Sequence, residues 1–334
     1  MKSIGIAGTA KNTGKTTTLS AVMDILKQRD IRLALTSIGY DGEAMDNVTG
    51  LPKPRIVAYE GDIAAVAQQC LRASEAQLDV LEDTGIQTAM GHILIGRVKK
   101  PGKLVLAGPN KRRELRDVLN RLDTYGADLC IVDGALNRMA PLVEVDGLIL
   151  STGAARHTDI GRLAKESGII MDLFSLPAMP EQGHVESVSS VFTQSGYEAL
   201  ITEIEKADTL HIEGVIACEY LNELAHSGHI AGKRLLFGDP IKLLLAGTPE
   251  EAFASLHLLQ NNGAVIGVTH GIRTIAVTVN PYYPKFRYTS GDYDAAYVDK
   301  DALLAAITAS VHAPCYDVVR QGADGIAKAI QELL

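Results

Sequence analysis

Apolar residues in this chain gather in short unbroken runs rather than alternating with polar ones. Ser3-Ile4-Gly5-Ile6-Ala7 is the first. Arg32 to Ile38, Asp128 to Ala135, Gly147 to Ser151 and Ile212 to Cys218 repeat the pattern. Runs of this length without alternation predict strands covered on both faces, as in a parallel sheet. Between them lie stretches of helical character: Lys15 to Gln28, Gly61 to Ser74, Lys111 to Tyr125, one ending about Ser167, and Tyr197 to Lys206. Strands alternating with helices predict an α/β fold, a mostly parallel sheet between two helical layers.

Other stretches are less regular. Leu51-Pro52-Lys53-Pro54-Arg55 forbids helix and reads as an extended connector. Residues 77–107 hold three apolar pieces, Leu78 to Leu81, Ile93 to Val98 and Leu104 to Ala107. Residues 175–190, with Pro177, Pro180 and Gly183, read as irregular. Beyond about Asn222 the strand-like pieces are Arg234 to Phe237, Leu243 to Ala246, Ala264 to Val268 and Thr274 to Val279. Pro249 to Asn261 and Asp299 to Ser310 read as helices, Cys315 to Val319 as a last strand and Gly325 to Leu334 as a last helix.

The first strand runs straight into Gly8-Thr9-Ala10-Lys11-Asn12-Thr13-Gly14-Lys15-Thr16-Thr17. Strand, glycine turn, Gly-Lys-Thr and helix is the order a phosphate-binding loop needs. Backbone N–H groups of Gly8, Thr9, Lys11, Asn12, Thr13 and Gly14 can turn inward on phosphate oxygens, and the helix start adds its positive end. Lys15 then reaches the β- and γ-phosphates, the Thr16 hydroxyl meets Mg²⁺, and Thr17 completes the cradle. Thr9 holds the usual first glycine position, so the glycine comes one residue early. These residues predict a bound nucleotide with Mg²⁺.

Two acidic positions change the picture further. Asp133, after Cys130-Ile131-Val132 and before Gly134, is placed as a strand-end acid on the metal side. Gly39-Tyr40-Asp41-Gly42-Glu43-Ala44-Met45-Asp46-Asn47 follows the second strand. In a parallel sheet it lies on the same edge as the phosphate loop, so Asp41, Glu43 and Asp46 are candidates for Mg²⁺. Its glycines and charges predict a segment that orders when Mg²⁺ and a γ-phosphate are both present.

Length and composition fit this picture. The 334 residues suggest about two domains. The expected division is a nucleotide-binding domain over 1–220 and a smaller C-terminal α/β region over 221–334. A net charge of −8 argues against binding nucleic acid through bulk basic charge. No apolar run approaches the ~20 residues that span a bilayer, so no membrane partner is expected. The N-terminus opens directly into a strand without a signal-peptide layout. Cys70, Cys130, Cys218 and Cys315 are widely spaced and form neither a metal pair nor a disulfide framework, which fits a reducing cytoplasm. His226 and His229 are better read as surface histidines than as a metal pair, because Gly228 breaks the helical register. Tyrosines concentrate after Asn280, in Pro281-Tyr282-Tyr283-Pro284-Lys285-Phe286-Arg287-Tyr288 and on to Tyr297. That segment is either a partner surface or a proline-bent connection packed on the C-terminal region.

The phosphate loop resembles that of dethiobiotin synthetases and cobyrinate a,c-diamide synthases. Asp133-Gly134-Ala135 with Pro141-Leu142 is similar to the Glu-Gly-Ala and Pro-Leu stretch of dethiobiotin synthetase, and Gly214-Val215-Ile216-Ala217 resembles its late strand leading to the adenine site. The resemblance covers roughly residues 1–220. It implies a P-loop NTPase domain, ATP rather than GTP, Mg²⁺ held through Thr16, Asp133 and Asp46, and room for a homodimer. Three departures stand out. No lysine follows the second strand, where the synthetase holds its carboxylate substrate; the region reads Thr36-Ser37-Ile38. Cys218 replaces the adenine-reading asparagine. The signature lysine of partition-type ATPases would fall at Ala10, with Lys11 one step off. A fainter resemblance, on the phosphate loop, Ser37 to Glu43 and the tyrosine-rich segment, is to ATPase-type accessory proteins that reactivate cobalamin-dependent aminomutases. It implies a protein partner. Three functions follow: an ATPase (a nucleoside triphosphate hydrolase) that drives a change in itself or a partner, a ligase or kinase acting on a small carboxylate, and a nucleotide sensor.

Overall fold

The computed structural model describes residues 1–39, 56–135, 140–287 and 291–334. The chain divides into two compact units, Met1–Ala164 with Thr274–Leu334, and Lys165–Arg273. The division expected at residue 220 therefore falls inside the second unit. That unit interrupts the first, and a break sought along one direction of the chain cannot find an insertion. Its lower limit lies within a helix, so no linker composition marks it.

In chain order the first unit begins with β1 (Lys2–Gly8), α1 (Lys15–Gln28), β2 (Leu33–Ser37), β3 (Ile56–Ala58), β4 (Ile63–Ala67), α2 (Gln68–Ala73), β5 (Gln77–Thr88), β6 (Gly91–Lys100) and β7 (Gly102–Leu104). It continues with α3 (Arg112–Asp123), β8 (Leu129–Ala135), a 3-10 turn at Ala140–Glu144, β9 (Gly147–Gly153) and α4 (Ile160–Phe174), whose later turns belong to the second unit. The second unit holds β10 (Val185–Val188), α5 (Gln194–Lys206), β11 (Thr209–Ile212), α6 (Cys218–His226), β12 (Arg234–Phe237), α7 (Ile241–Leu244), α8 (Pro249–Asn261) and β13 (Val265–Val268). The chain then returns with β14 (Thr274–Asn280), β15 (Tyr282–Arg287), β16 (Asp292–Tyr297), α9 (Lys300–Ser310), β17 (Cys315–Tyr316), α10 (Val318–Gln321) and α11 (Asp324–Gln331).

The main sheet runs β17-β14-β9-β1-β8-β2-β4-β6-β5 among the described residues. From β17 to β4 every pairing is parallel, and only β6 and β5 are antiparallel. The fold is thus α/β with a mostly parallel central sheet, as the runs predicted. β1 is buried from Ser3 to Gly8, which is why its apolar run is continuous. The chain passes from β8 to β9 across β1, so the order reverses at β1 and opens a crevice at its carboxyl end. Leu19, Val22, Met23 and Leu26 of α1 face the same core as Ile4 and Ile6 of β1 and Ile326 and Ile330 of α11. At about 1.5–3 kcal/mol for each fully buried aliphatic side chain, packing rather than helix propensity fixes where α1 begins.

Several local expectations are corrected. Gly61 to Ser74 is not one helix: Ile63–Ala67 is the fully buried strand β4, followed by the short α2. Alanine prefers helix, but five consecutive buried positions between β2 and β6 suit a strand. Asp62 is buried ahead of β4, accepts from the Tyr59 N–H and pairs with Lys27 of α1; burial pushes its carboxyl up despite that lysine. Leu243 to Ala246 lies in and just after the helix α7 rather than in a strand. The run Ile212 to Cys218 is only the end of β11, one bridge from Val191 to Ile216, and the start of α6. The irregular stretch 175–190 contains β10.

In the second unit β10-β11-β12-β13 form a four-stranded parallel sheet in chain order. Its core joins Leu210, Ile212, Leu235 and Phe237 to Leu221, Leu256 and Leu259. Cys70, Cys130 and Cys218 are buried thiols, and Cys315 is half-buried. His226 bonds to the Asn222 carbonyl and His229 lies beside Glu205, and no metal cluster occurs among the described residues. No helix among them is long and apolar enough to cross a membrane.

Candidate functional site

The candidate site lies at the carboxyl ends of β1, β8, β9, β2 and β14. Parallel register brings them level: Gly8 pairs with Ala135 and Ser151, Ile6 and Ser37 pair with Asp133, and Asn280 pairs with Gly153. The loop from Gly8 to Gly14 leaves this edge and returns into α1.

Its shape follows from its residues. The Thr9 N–H donates to the Ser151 carbonyl at 2.9 Å, and its hydroxyl donates to Thr152 at 3.1 Å. The Thr13 hydroxyl closes the turn on the Ala10 carbonyl at 3.0 Å. A Cβ at Gly8 would sit 2.8 Å from the Thr13 oxygen, so this early glycine is needed for the turn to fold against the strand. Asn12 and Gly14 both take left-handed backbone, at φ 63 and 88. Asparagine tolerates that region and glycine favours it.

The start of α1 carries no side-chain cap. Among the described residues, the N–H groups of Ala10 to Gly14, Thr16 and Thr17 donate to no hydrogen-bond acceptor. A cluster of inward backbone donors at a helix start is a fixed positive site that suits an anion. The residues present therefore fit a phosphate group.

Lys15 and Asp133 meet beneath the loop, with Nζ 2.9 Å from Oδ2. Their side chains are only 13% and 9% exposed, so the pair is shielded from solvent and salt. Glu144, at the end of the 3-10 turn Ala140–Glu144, pairs with Arg112 and Arg116 of α3. Burial raises the Glu144 carboxyl, but the hydrogen bonds and charge of Arg116 and Arg112 outweigh it and hold the group below the ordinary glutamate range.

The structure thus brings together Gly8, Thr9, Lys11, Asn12, Thr13, Gly14, Lys15, Thr16, Thr17 and Asp133. Asp41, Glu43 and Asp46 lie outside the described residues. Among the described residues the end of β2 carries no cation: the Thr36 and Ser37 hydroxyls bond to the Ala65 and Gly39 carbonyls. Cys218 and the Gly214 to Ala217 stretch belong to the other unit.

The run Thr274 to Val279 reads as a strand in the sequence, but nothing in the sequence places it beside the loop. β14 pairs with β9, and Asn280 at its end donates from Nδ2 to the Asn12 carbonyl at 2.9 Å. Two residues earlier, Thr278 joins Thr18 and Ser151 in a buried triangle of hydroxyls, at 2.8, 2.8 and 3.4 Å. The only sequence signal was a polar residue closing the run Thr274 to Val279.

Gly14→Ala tests the local geometry. An alanine there is forced to φ 88, and its Cβ would lie 3.1 Å from the Asn280 Cβ. A loss of about 1–2 kcal/mol and a weaker anion site are expected. Thermal melts and phosphate or nucleotide titration measure both. An unchanged melt would mean that the left-handed cap is not required.

No family model matches the chain, and no curated protein matches it. Among solved structures it is similar to the MinC:MinD cell division protein complex of Aquifex aeolicus, at 10% identity and TM-score 0.29, over 100% of this chain and 96% of that one. It is also similar to the pNOB8 ParA bound to nonspecific DNA, at 11% identity and TM-score 0.29, over 78% of this chain and 98% of that one. Likenesses this loose assign no activity, and the function has to be read from the site itself.

Proposed function

We propose that this chain is a Mg²⁺–ATP-binding P-loop ATPase that couples the nucleotide cycle to a change in itself or in a partner protein. The observation that carries the reading is the Lys15–Asp133 pair beneath a loop of unused backbone donors. Lys15 provides the mobile positive charge for the β- and γ-phosphates, and the loop N–H groups orient the phosphate chain. Thr16 and Asp133 are the residues that would hold the metal, with Asp46, from the stretch after β2, as a further acid. Mg²⁺, when bound, supplies Lewis-acid charge to the phosphate oxygens.

The ligase reading, carried by the dethiobiotin synthetase resemblance, is weaker. A carboxylate substrate needs a cation at the end of β2, and Thr36 and Ser37 are engaged with backbone carbonyls there. The accessory-protein resemblance favours coupling to a partner enzyme that the ATPase reactivates. A homodimer and a cytoplasmic location also belong to this reading.

Calorimetric titration with ATP, ADP and GTP, with and without Mg²⁺, tests the first step. Micromolar Mg²⁺-dependent ATP binding is expected, with slow hydrolysis unaffected by a panel of small carboxylates. Carboxylate-stimulated turnover would favour the ligase, binding without hydrolysis would favour the sensor, and no binding would overturn the reading.

A further inference from the structure

β15 and β16 form a separate two-stranded antiparallel ribbon that pairs with no other strand among the described residues. One of its faces is apolar. Tyr282, Pro284 and Phe286 lie opposite Tyr297, Ala295 and Tyr293. Tyr282 meets Tyr297 edge-on at 5.9 Å, and Phe286 meets Tyr293 at 5.2 Å. The other face carries charges, with Arg287 beside Asp292 and Asp294. A lone two-stranded ribbon is marginally stable in water, so its opening equilibrium responds to small changes at its root.

That root is Asn280. Its Nδ2 donates to the Asn12 carbonyl in the loop, and its Oδ1 accepts from the Tyr282 N–H, the first residue of the ribbon, at 3.2 Å. Only this orientation of the amide satisfies both partners, which fixes it. The backbone of Asn280 is held too: its carbonyl accepts from the Ala154 N–H at 2.9 Å, beyond β9. The Thr278–Ser151–Thr18 hydroxyls pin the same strand to α1. The amide therefore bridges the loop and the ribbon.

We propose that Asn280 is a positioning residue that couples the phosphate loop to the aromatic ribbon, so that ribbon order reports the nucleotide state of the loop. The proposal rests on the nucleotide reading above. Asn12 is the contact through which the loop acts. An anion that organises the loop N–H groups fixes the Asn12 peptide, and a fixed Asn12 carbonyl holds the amide whose other end secures Tyr282. Once a bound anion has ordered the loop, closing the ribbon on the Asn280 amide costs less conformational entropy.

Hydrogen exchange of the intact protein tests this, with nucleotide binding measured by calorimetry on the same samples. With Mg²⁺ and a non-hydrolysable ATP analogue, exchange over Tyr282–Arg287 and Asp292–Tyr297 is expected to slow about threefold or more. Asn280→Ala, which removes both bonds, is expected to lose that response. Asn280→Asp retains an acceptor for Tyr282 and loses the donor to Asn12. It is expected to keep the resting protection of the ribbon and lose the response.

Bound nucleotide with unchanged ribbon exchange in the wild type would overturn the coupling and leave the ATPase reading standing. A response that survives in Asn280→Ala would overturn it as well. So would an Asn280→Ala protein that no longer binds nucleotide and has wild-type ribbon protection, since Asn280 would then serve the nucleotide alone. Failure of the wild type to bind any nucleotide would overturn both readings.

Discussion

Lys15→Ala is expected to abolish Mg²⁺–nucleotide binding and to cost about 2–3 kcal/mol of stability, while the protein still folds. The binding loss follows from the lysine's position at the start of α1, directly after the turn of backbone donors. Without it the loop keeps its dipoles and loses its full charge. The stability loss follows from Asp133, whose carboxylate is nearly buried and would keep its desolvation cost without that cation. Lys15→Ala with Asp133→Asn removes both charges. It is expected to recover most of the stability and none of the binding. Urea melts and calorimetric titration of the two variants separate the effects. Nucleotide affinity unchanged in folded Lys15→Ala would remove the basis of the ATPase reading.

Asp133→Asn should act in the opposite sense on metal-free binding. In the resting chain the carboxylate holds Lys15 at 2.9 Å, so a phosphate group must compete with Asp133 for the lysine. Mg²⁺, when bound, would supply a competing positive charge for the carboxylate and so free the lysine for phosphate. An asparagine keeps the shape and a weaker hydrogen bond. ATP binding in EDTA is then expected to strengthen about tenfold, equivalent to about 1.4 kcal/mol. The gain from Mg²⁺ is expected to shrink, and Mg²⁺-dependent turnover to fall. Titrations in EDTA and in Mg²⁺ measure each part. The same Mg²⁺ dependence in variant and wild type would make Asp133 an ordinary strand-end acid.

The loop from Gly8 to Thr17 and the acid at Asp133 were legible because their chemistry is local. A glycine turn, an uncapped helix start and an apolar strand ending in a carboxylate are written in consecutive residues. The parallel sheet was legible too, since strands buried on both faces cannot alternate. The helix expected over Gly61 to Ser74 failed because the three alanines in Ile63–Ala67 favour helix until neighbouring strands cover both faces. The resemblance puts the late strand at Gly214 to Ala217, ahead of position 218, which follows chain order rather than sheet order. The inserted unit separates the two orders, and Asn280 occupies the strand end instead. No local signal marks such a residue, because its role depends on a partner 268 positions away.

That separation bears on how the protein is made. The strand that closes the loop side of the sheet, β14, is synthesised only after the whole inserted unit. A ribosome-bound chain that has reached β9 holds the glycine turn, Lys15 and Asp133, but has neither the Asn12–Asn280 bond nor the hydroxyl triangle. Bringing ends this far apart together costs an unstructured chain about 5 kcal/mol in entropy. On the nucleotide reading proposed above, the bonds that complete the site form only after the inserted unit has emerged. On that reading, a cell would meet the completed site only when nearly the full chain has been translated.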